Sequence, residues 1–289
     1  MPELPEVETI VRDLNKKVKG LTIKDAWTDW KKMIKKPASF KEFKKQIKNK
    51  KILKARRRAK YILIDLSQNK TLIIHQKISG HLLYGKWKVK NNKPISLTEK
   101  IKKDPQNRFI RFILYLNKNQ LALCDLRRFA KILLISTNQV ENLKEIKELG
   151  PEPLKKEFTF NKFKQTLKNR KGKIKQVLMN PKIIAGIGNI YSDEILFKSK
   201  IHPEKRTEKL KEKELRKIYD SIKQILTKSI KLRGDSMSDF RDLQGSKGKY
   251  QTKHKVYQRE NEPCYNCKTK IRRIKIGGRS AHFCPKCQK

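Results

Sequence analysis

Pro2 sits directly behind the initiator methionine in Met-Pro-Glu-Leu-Pro-Glu, with Glu3 and Glu6 beside it. Met before a small residue is commonly trimmed, and its loss turns Pro2 into a secondary amine. An α-amino group titrates at about 7.7–8.0, so near pH 7 part of it is neutral and nucleophilic, unlike a lysine. Such an amine can attack an electrophilic carbon and form a Schiff base, which divides one hard step into two easier ones. Glu3 and Glu6 are placed to transfer a proton or to balance an oxocarbenium-like charge. Taken alone, the same residues also describe a frayed, charged terminus with two helix-start prolines.

A second constellation lies at the other end. Cys264-Tyr-Asn-Cys267 and Cys284-Pro-Lys-Cys287 are two C-x2-C pairs separated by 16 residues. Each pair sets two thiolates on one tight knuckle, and two knuckles can complete a tetrahedral Zn²⁺ shell, with disulfides or an iron–sulfur site as the alternatives. A ribbon this short cannot hold itself by core burial, so the metal contributes to its folding. Between the knuckles lie Arg272, Arg273, Lys275, Gly277, Gly278 and Arg279, a basic hairpin suited to a phosphate backbone. Cys124 is left over and reads as a buried strand thiol.

The elements that must position these groups follow from periodicity. Val7, Ile10, Val11 and Leu14 have helical spacing over 5–17. Strand-like runs follow at 60–66, 71–75, 81–89, 109–116, 120–125 and 130–136, with Asn117-Lys118-Asn119 as a hairpin turn. Segment 91–106 is polar and reads as a surface loop. Gly150, Pro151 and Pro153 mark a boundary, after which 160–168, 174–179, 191–199 and 209–232 suit helices. Residues 181–189, with Gly186 and Gly188, read as a tight turn, and 233–250 as a loop rich in Gly, Ser and Asp.

The chain has 289 residues, 74 Lys and Arg against 28 Asp and Glu, and a net charge of +46. That balance points to a polyanion, above all nucleic acid. The dominance of Lys, Ile and Asn also fits an A-rich coding bias, which would place part of the charge on an ordinary solvated face. No apolar run is long enough for a transmembrane helix, and the N-terminus lacks the pattern of a signal peptide. Four of the five cysteines form close pairs, which fits a cytoplasmic protein with a metal site better than a disulfide framework.

Both ends together, with the markers between them, give a resemblance to the formamidopyrimidine-DNA glycosylase family over essentially the whole chain. The markers are MPELPEVET at 1–9, Arg57-Arg58-Ala59-Lys60-Tyr61, Ser79-Gly80, DLRRF at 125–129, LGPEPL at 149–154, GIGNIY at 186–191 and the four-cysteine tail. The resemblance implies an α+β fold. It places an N-terminal catalytic β-sandwich with a leading helix at 1–137 and a hinge at 138–153. A helix–two-turn–helix domain with a loop closing over the flipped base follows at 154–250, and a zinc finger at 251–289. It implies a monomeric bacterial enzyme of the cytoplasm and nucleoid, with one structural Zn²⁺ and no membrane. Its partner is double-stranded DNA carrying oxidised bases or abasic sites, lying across a cleft.

The implied chemistry is excision of oxidised purines through attack of the Pro2 nitrogen on C1′, then strand cleavage by β- and δ-elimination. Pro2 is then the nucleophile, Glu3 the proton donor for sugar-ring opening, and Glu6 a support. Lys60 contacts phosphate and serves β-elimination, and Arg279 reaches phosphate in the last elimination. Arg127 and Phe129 enter the space that the flipped nucleotide leaves. Lys171, Lys175 and Tyr250 meet the DNA backbone, and Asn189 caps a helix whose first amides meet phosphate. Ile78 stands where the family has Met, Leu126 where it has Pro, and Asn107 where it has a DNA-contacting His. Two alternatives stay open: an endonuclease VIII-like enzyme for oxidised pyrimidines, and a non-enzymatic zinc-ribbon protein that binds nucleic acid by charge. Leu4 favours the purine type, since the sister group commonly has Gly there.

Overall fold

The leading helix forms as its spacing predicts. In the computed structural model, which describes Met1–Lys289, α1 spans Leu4–Lys17 and buries Val7, Ile10, Val11 and Leu14. Pro5 lies in the first turn, where its missing N–H costs nothing. Glu6 reaches back to the amide of Glu3 at 2.8 Å, closing a capping box.

After α1 come β1 (Ile23–Thr28), β2 (Ile34–Lys36), α2 (Phe40–Ile47), β3 (Ile52–Arg58), β4 (Tyr61–Leu66), β5 (Lys70–His75) and β6 (His81–Gly85). Then follow β7 (Trp87–Lys90), β8 (Lys93–Ser96), α3 (Glu99–Lys102), β9 (Ile110–Leu116), β10 (Gln120–Cys124), β11 (Lys131–Ser136) and α4 (Lys144–Lys147). A four-stranded sheet runs β1-β9-β10-β6 and a five-stranded sheet runs β2-β11-β5-β4-β3. Apolar residues of both sheets, among them Ile23, Phe112, Leu114, Ile62, Ile64 and Ile132, share one core with α1. This is the expected β-sandwich, and its register puts alternate side chains inside. Segment 91–106 departs from its reading as a loop: β7 and β8 form a hairpin, and α3 follows. Its lysines hid a hairpin that is largely solvent-facing.

Met1–Lys147 groups with Leu232–Lys249 as one compact unit, and Glu148–Lys231 with Tyr250–Lys289 as another. The loop at 233–249 thus packs with the N-terminal unit, not with the helices that precede it in sequence.

The second unit holds α5 (Phe160–Leu167), α6 (Ile174–Met179), α7 (Asn189–Ser199), α8 (Glu212–Lys231), β12 (Arg272–Ile276) and β13 (Arg279–Phe283). The rings of Phe158, Phe163 and Tyr219 pack edge-on and tilted against one another, joining α5 to α8. Tyr191 of α7 bonds Ser229 of α8 at 2.5 Å. The cysteine ribbon packs on Phe197 of α7 through Val256, Cys264, Ile271 and Cys284. No helix is long and apolar enough to cross a membrane.

Candidate functional site

The N-terminal constellation assembles. Pro2, Glu3 and Glu6 are buried, and Glu6 accepts from the amides of Glu3 and Asp235, both at 2.8 Å. Burial lowers the pKa of the chain's terminal amine below its ordinary 8.0, against the opposing pull of Glu3, Glu6 and Asp239, while Lys60 lowers it further. Met1 still carries that amine. Removal of Met1 would place the terminal amine on Pro2, which is itself buried beside Glu3 and Glu6. Lys60 follows Ala59, whose φ is +50°, in the β3–β4 turn. Arg57 holds this turn on α1, donating to Glu8 at 2.9 Å and to the Ala59 carbonyl at 3.0 Å. A terminal amine of lowered pKa, two acidic groups and a lysine therefore meet at one end of the sandwich.

Two crossovers between the sheets build the candidate wedge. Residues 76–80 carry the chain from β5 to β6, and residues 125–130 carry it back from β10 to β11. Because β5 pairs with β11 and β6 with β10, both crossovers fall at the same end of the sandwich. Asp125, fully buried, bolts them together: it accepts from the Ser79 hydroxyl at 2.6 Å and from the Ala130 amide at 2.8 Å. Ser79 in turn accepts from the Arg127 amide at 3.0 Å. On this support Ile78 is 36% exposed and Phe129 48%, with the Arg127 guanidinium 5.0 Å from the Phe129 ring. Large apolar side chains held in solvent on a rigid loop are suited to enter a base stack. Sequence reading named the DLRRF motif, but the structural task of Asp125 was not legible without Ser79, 46 residues away.

The second unit offers cations and one amide-rich helix start. Asn189 is the first residue of α7, and Gly188 is the cap, which shifts the expected role by one position. Asn189 Oδ1 is buried without a partner beside a polar cavity of about 360 Å³ lined by Tyr257, Gln258, Glu260, Arg273, Ser280 and His282. Lys171 is exposed ahead of α6. Arg279 is exposed at the tip of the β12–β13 hairpin, where Gly277 and Gly278 take φ of +54° and +76°. At Gly277 a Cβ would lie 2.3 Å from the Gln176 amide nitrogen, so glycine lets the tip seat on α6.

Three expected DNA contacts have interior partners instead. Lys175 is fully buried; its ammonium pairs with Asp193 and donates to the Ser280 carbonyl at 2.8 Å. Asp193 also accepts from the His282 amide at 2.9 Å. Asn107 is buried, donating to the carbonyls of Ile101 and Gly245 at 3.0 and 3.3 Å and bonding His81 at 3.1 Å. Tyr250 is buried, with its ring 5.3 Å from that of Tyr191. These side chains hold elements together and present no exposed cation or ring. Glu194, beside Asp193, accepts the amides of Lys255, Val256 and Tyr257 at 3.0 Å each, and burial pushes its pKa up.

The sulfurs of Cys264, Cys267, Cys284 and Cys287 all lie within 4.8 Å of one another. Neighbouring pairs stand 3.4, 3.4 and 3.9 Å apart. Four thiolates around Zn²⁺ at about 2.3 Å require sulfur separations near ~3.8 Å. The donor set and its spacing fit one structural zinc.

Sequence models of known domains cover most of the chain. The formamidopyrimidine-DNA glycosylase N-terminal domain matches residues 1–132, and the H2TH domain of the same enzymes matches 149–241. A zinc finger found in FPG and IleRS matches 261–289. A formamidopyrimidine-DNA glycosylase of Pelotomaculum thermopropionicum is 41% identical, over 100% of this chain and 99% of that protein. The chain belongs to the formamidopyrimidine-DNA glycosylase family. Solved members share its fold over their full length. A variant of Lactococcus lactis FPG in complex with Fapy-dG-containing DNA superposes with a TM-score of 0.87 at 36% identity, covering 100% of both chains. MutM in complex with DNA containing carbocyclic 8-oxo-G gives 0.85 at 35% identity, again over 100% of both.

Proposed function

We propose that this chain is a bifunctional DNA glycosylase and lyase of base excision repair. Its substrates are oxidised purines, 8-oxoguanine and formamidopyrimidines, in duplex DNA of the bacterial cytoplasm and nucleoid. The observation that carries the reading is the burial of Pro2 between Glu3 and Glu6, with Lys60 near enough to act on the terminal amine and with burial favouring that amine's neutral form. Lowering the pKa leaves more of the amine unprotonated at neutral pH, which is the nucleophilic form. The complexes of relatives with Fapy-dG and 8-oxo-G DNA support the substrate class.

The reaction follows from these groups. After loss of Met1, the Pro2 nitrogen attacks C1′ of the flipped nucleotide. Glu3 gives a proton to the ring oxygen as the sugar opens, and the glycosidic bond breaks with the base leaving protonated. The Pro2 nitrogen gives up its proton, which balances the one taken by the base, and stays bonded to C1′ as a cationic iminium. Loss of the C2′ proton expels the 3′ phosphate, Lys60 serving this step, and a second elimination expels the 5′ phosphate with Arg279 against it. Water then releases Pro2. Ile78, Arg127 and Phe129 fill the vacated stack, and Lys171 and Asn189 hold the backbone.

The test is borohydride trapping on duplex DNA containing 8-oxoguanine. The protein lacking Met1 forms a covalent adduct. Pro2→Gly slows excision and trapping by about tenfold or more while DNA binding persists, because a primary amine is a poorer but usable substitute. An adduct formed as fast by Pro2→Gly, or by protein with a blocked N-terminus, overturns the reading.

A further inference from the structure

The segment Leu232–Lys249 belongs to the N-terminal unit, and its second half places large apolar side chains in that unit's core. Phe240 and Leu243 insert into the main core, and the Leu243 carbonyl accepts from the Tyr84 amide at 2.8 Å. Arg241, also buried, pairs with Asp104 and donates to the carbonyls of Ser238 and Phe240 at 3.1 and 2.8 Å. Asn107 holds the Gly245 carbonyl from the other side.

The first half, residues 233–239, lies on the catalytic cluster. The Asp235 amide donates to Glu6, and a Cβ at Gly234 would come 2.8 Å from that carboxylate. Asp239 adds its charge to the field at the terminal amine. No large side chain of this half enters the core: Met237 is 49% exposed, and Ser236 bonds within the segment, to the Phe240 carbonyl and the Gly248 amide. Arg233 spans the gap. Its Nε and Nη2 donate to Asp242 Oδ2 at 3.0 and 2.8 Å, and Nη1 and Nη2 together grip Asp13 of α1. Both carboxylates are buried, and the free oxygen of Asp242 takes the amides of Gln244 and Ser246 at 2.9 and 3.0 Å. Arg233 does this from φ +63°, a left-handed conformation that favours glycine. The backbone here suits a residue without a side chain, yet the side chain present is the one that makes two charge-assisted links.

We propose that Arg233 is a positioning residue: by bridging Asp13 of the catalytic helix to Asp242, it holds residues 233–239 against Glu6 before any nucleotide arrives. A base entering the site then meets a preformed wall, and no ordering of the segment is left to be done on binding. The segment lies against Glu6 and acts on the field at the terminal amine, where the base would be displaced, so the bridge is assigned to base excision and not to the elimination steps that follow. The inference rests on the proposed glycosylase activity for that last statement only.

The experiment uses the full, zinc-bearing chain as wild type, Arg233→Ala, Arg233→Gly and Asp13→Asn. Hydrogen exchange of amides 234–239 is read in the free protein. Single-turnover cleavage is read on 8-oxoguanine duplex and on abasic duplex. Exchange at 234–239 rises about tenfold in all three variants. Release of 8-oxoguanine falls about tenfold, while cleavage of abasic DNA stays within about twofold. Arg233→Gly separates the bridge from the backbone: it relieves φ, loses both links and behaves like Arg233→Ala. Exchange unchanged from wild type, or equal losses on the two DNAs, overturns the proposal. Failure of the wild type to release 8-oxoguanine sinks the proposed function instead, and exchange, which needs no substrate, still decides whether Arg233 orders the segment.

Discussion

Two histidines show how single side chains of the sandwich have been taken out of the reach of protons. His75 ends β5 with its ring edge-on to Tyr61 and its Nδ1 accepting the Lys77 amide at 3.0 Å. Burial, with Lys77, Lys60 and Lys131 around it, lowers its pKa to about 3. Burial, helped by the Arg241 charge, outweighs the Asn107 bond at His81 and takes its pKa to about 4. The unfolded chain protonates both rings near 6.5. Between that value and about 4 the unfolded state therefore binds more protons, and stability falls as the pH drops. Each ring contributes a slope of up to about 1.4 kcal/mol per pH unit in this window. Denaturant titrations at pH 7 and pH 5 should show the loss, and His75→Gln should shrink it. A variant whose stability falls between these two pH values as far as the wild type's would exclude His75 as a source.

At the scale of elements, Lys171 and Lys175 flank the start of α6 and do different work. Lys171 is exposed, whereas Lys175 neutralises Asp193 in the interior and ties α6 to α7 and to the Ser280 carbonyl of β13. Lys175→Met leaves Asp193 buried and short of its cation, a loss of about 3–5 kcal/mol in denaturant unfolding. Lys171→Met stays within about 0.5 kcal/mol. Equal stabilities for the two variants would show the Asp193 pair to be idle. The contrast also marks what sequence could reveal. Periodicity gave α1 and α6 nearly residue for residue, because a buried stripe is local information. It named no element between Val18 and Ala59, where β1, β2, α2 and β3 lie, since dense lysines dilute their apolar pattern. Spacing located the thiolates and the amine. It could not say that Lys175, Asn107 and Arg233 are interior or bridging, because their partners lie up to 220 residues away. A motif fixes which residues cluster, and only packing decides which of them face out.

For the whole molecule, a charge of +46 makes attachment to any DNA strong at low salt, with log K falling linearly against log salt. Neutralising Lys171 or Arg279, both exposed, should lessen that slope by about one unit each, and neutralising buried Lys175 should not. Competition between 8-oxoguanine and undamaged duplex at rising salt should preserve the preference for damage, since groove and stack contacts are screened less than phosphate pairs. Affinities for the two duplexes that merge at every salt would leave only charge-driven attachment. The pairing of α7 with the tail bears on how the molecule is made. Asp193 waits for His282, 89 positions later, Glu194 for the amides of Lys255, Val256 and Tyr257, and His202 for the Lys289 carbonyl. During synthesis, α7 therefore leaves the ribosome with Asp193 able to meet Lys175 but not His282, and with Glu194 still short of the amides that it will accept. The helical unit can close only when the ribbon has emerged and taken its metal, so a ribosome that stalls or stops early releases a chain that a protease can tell from a finished one.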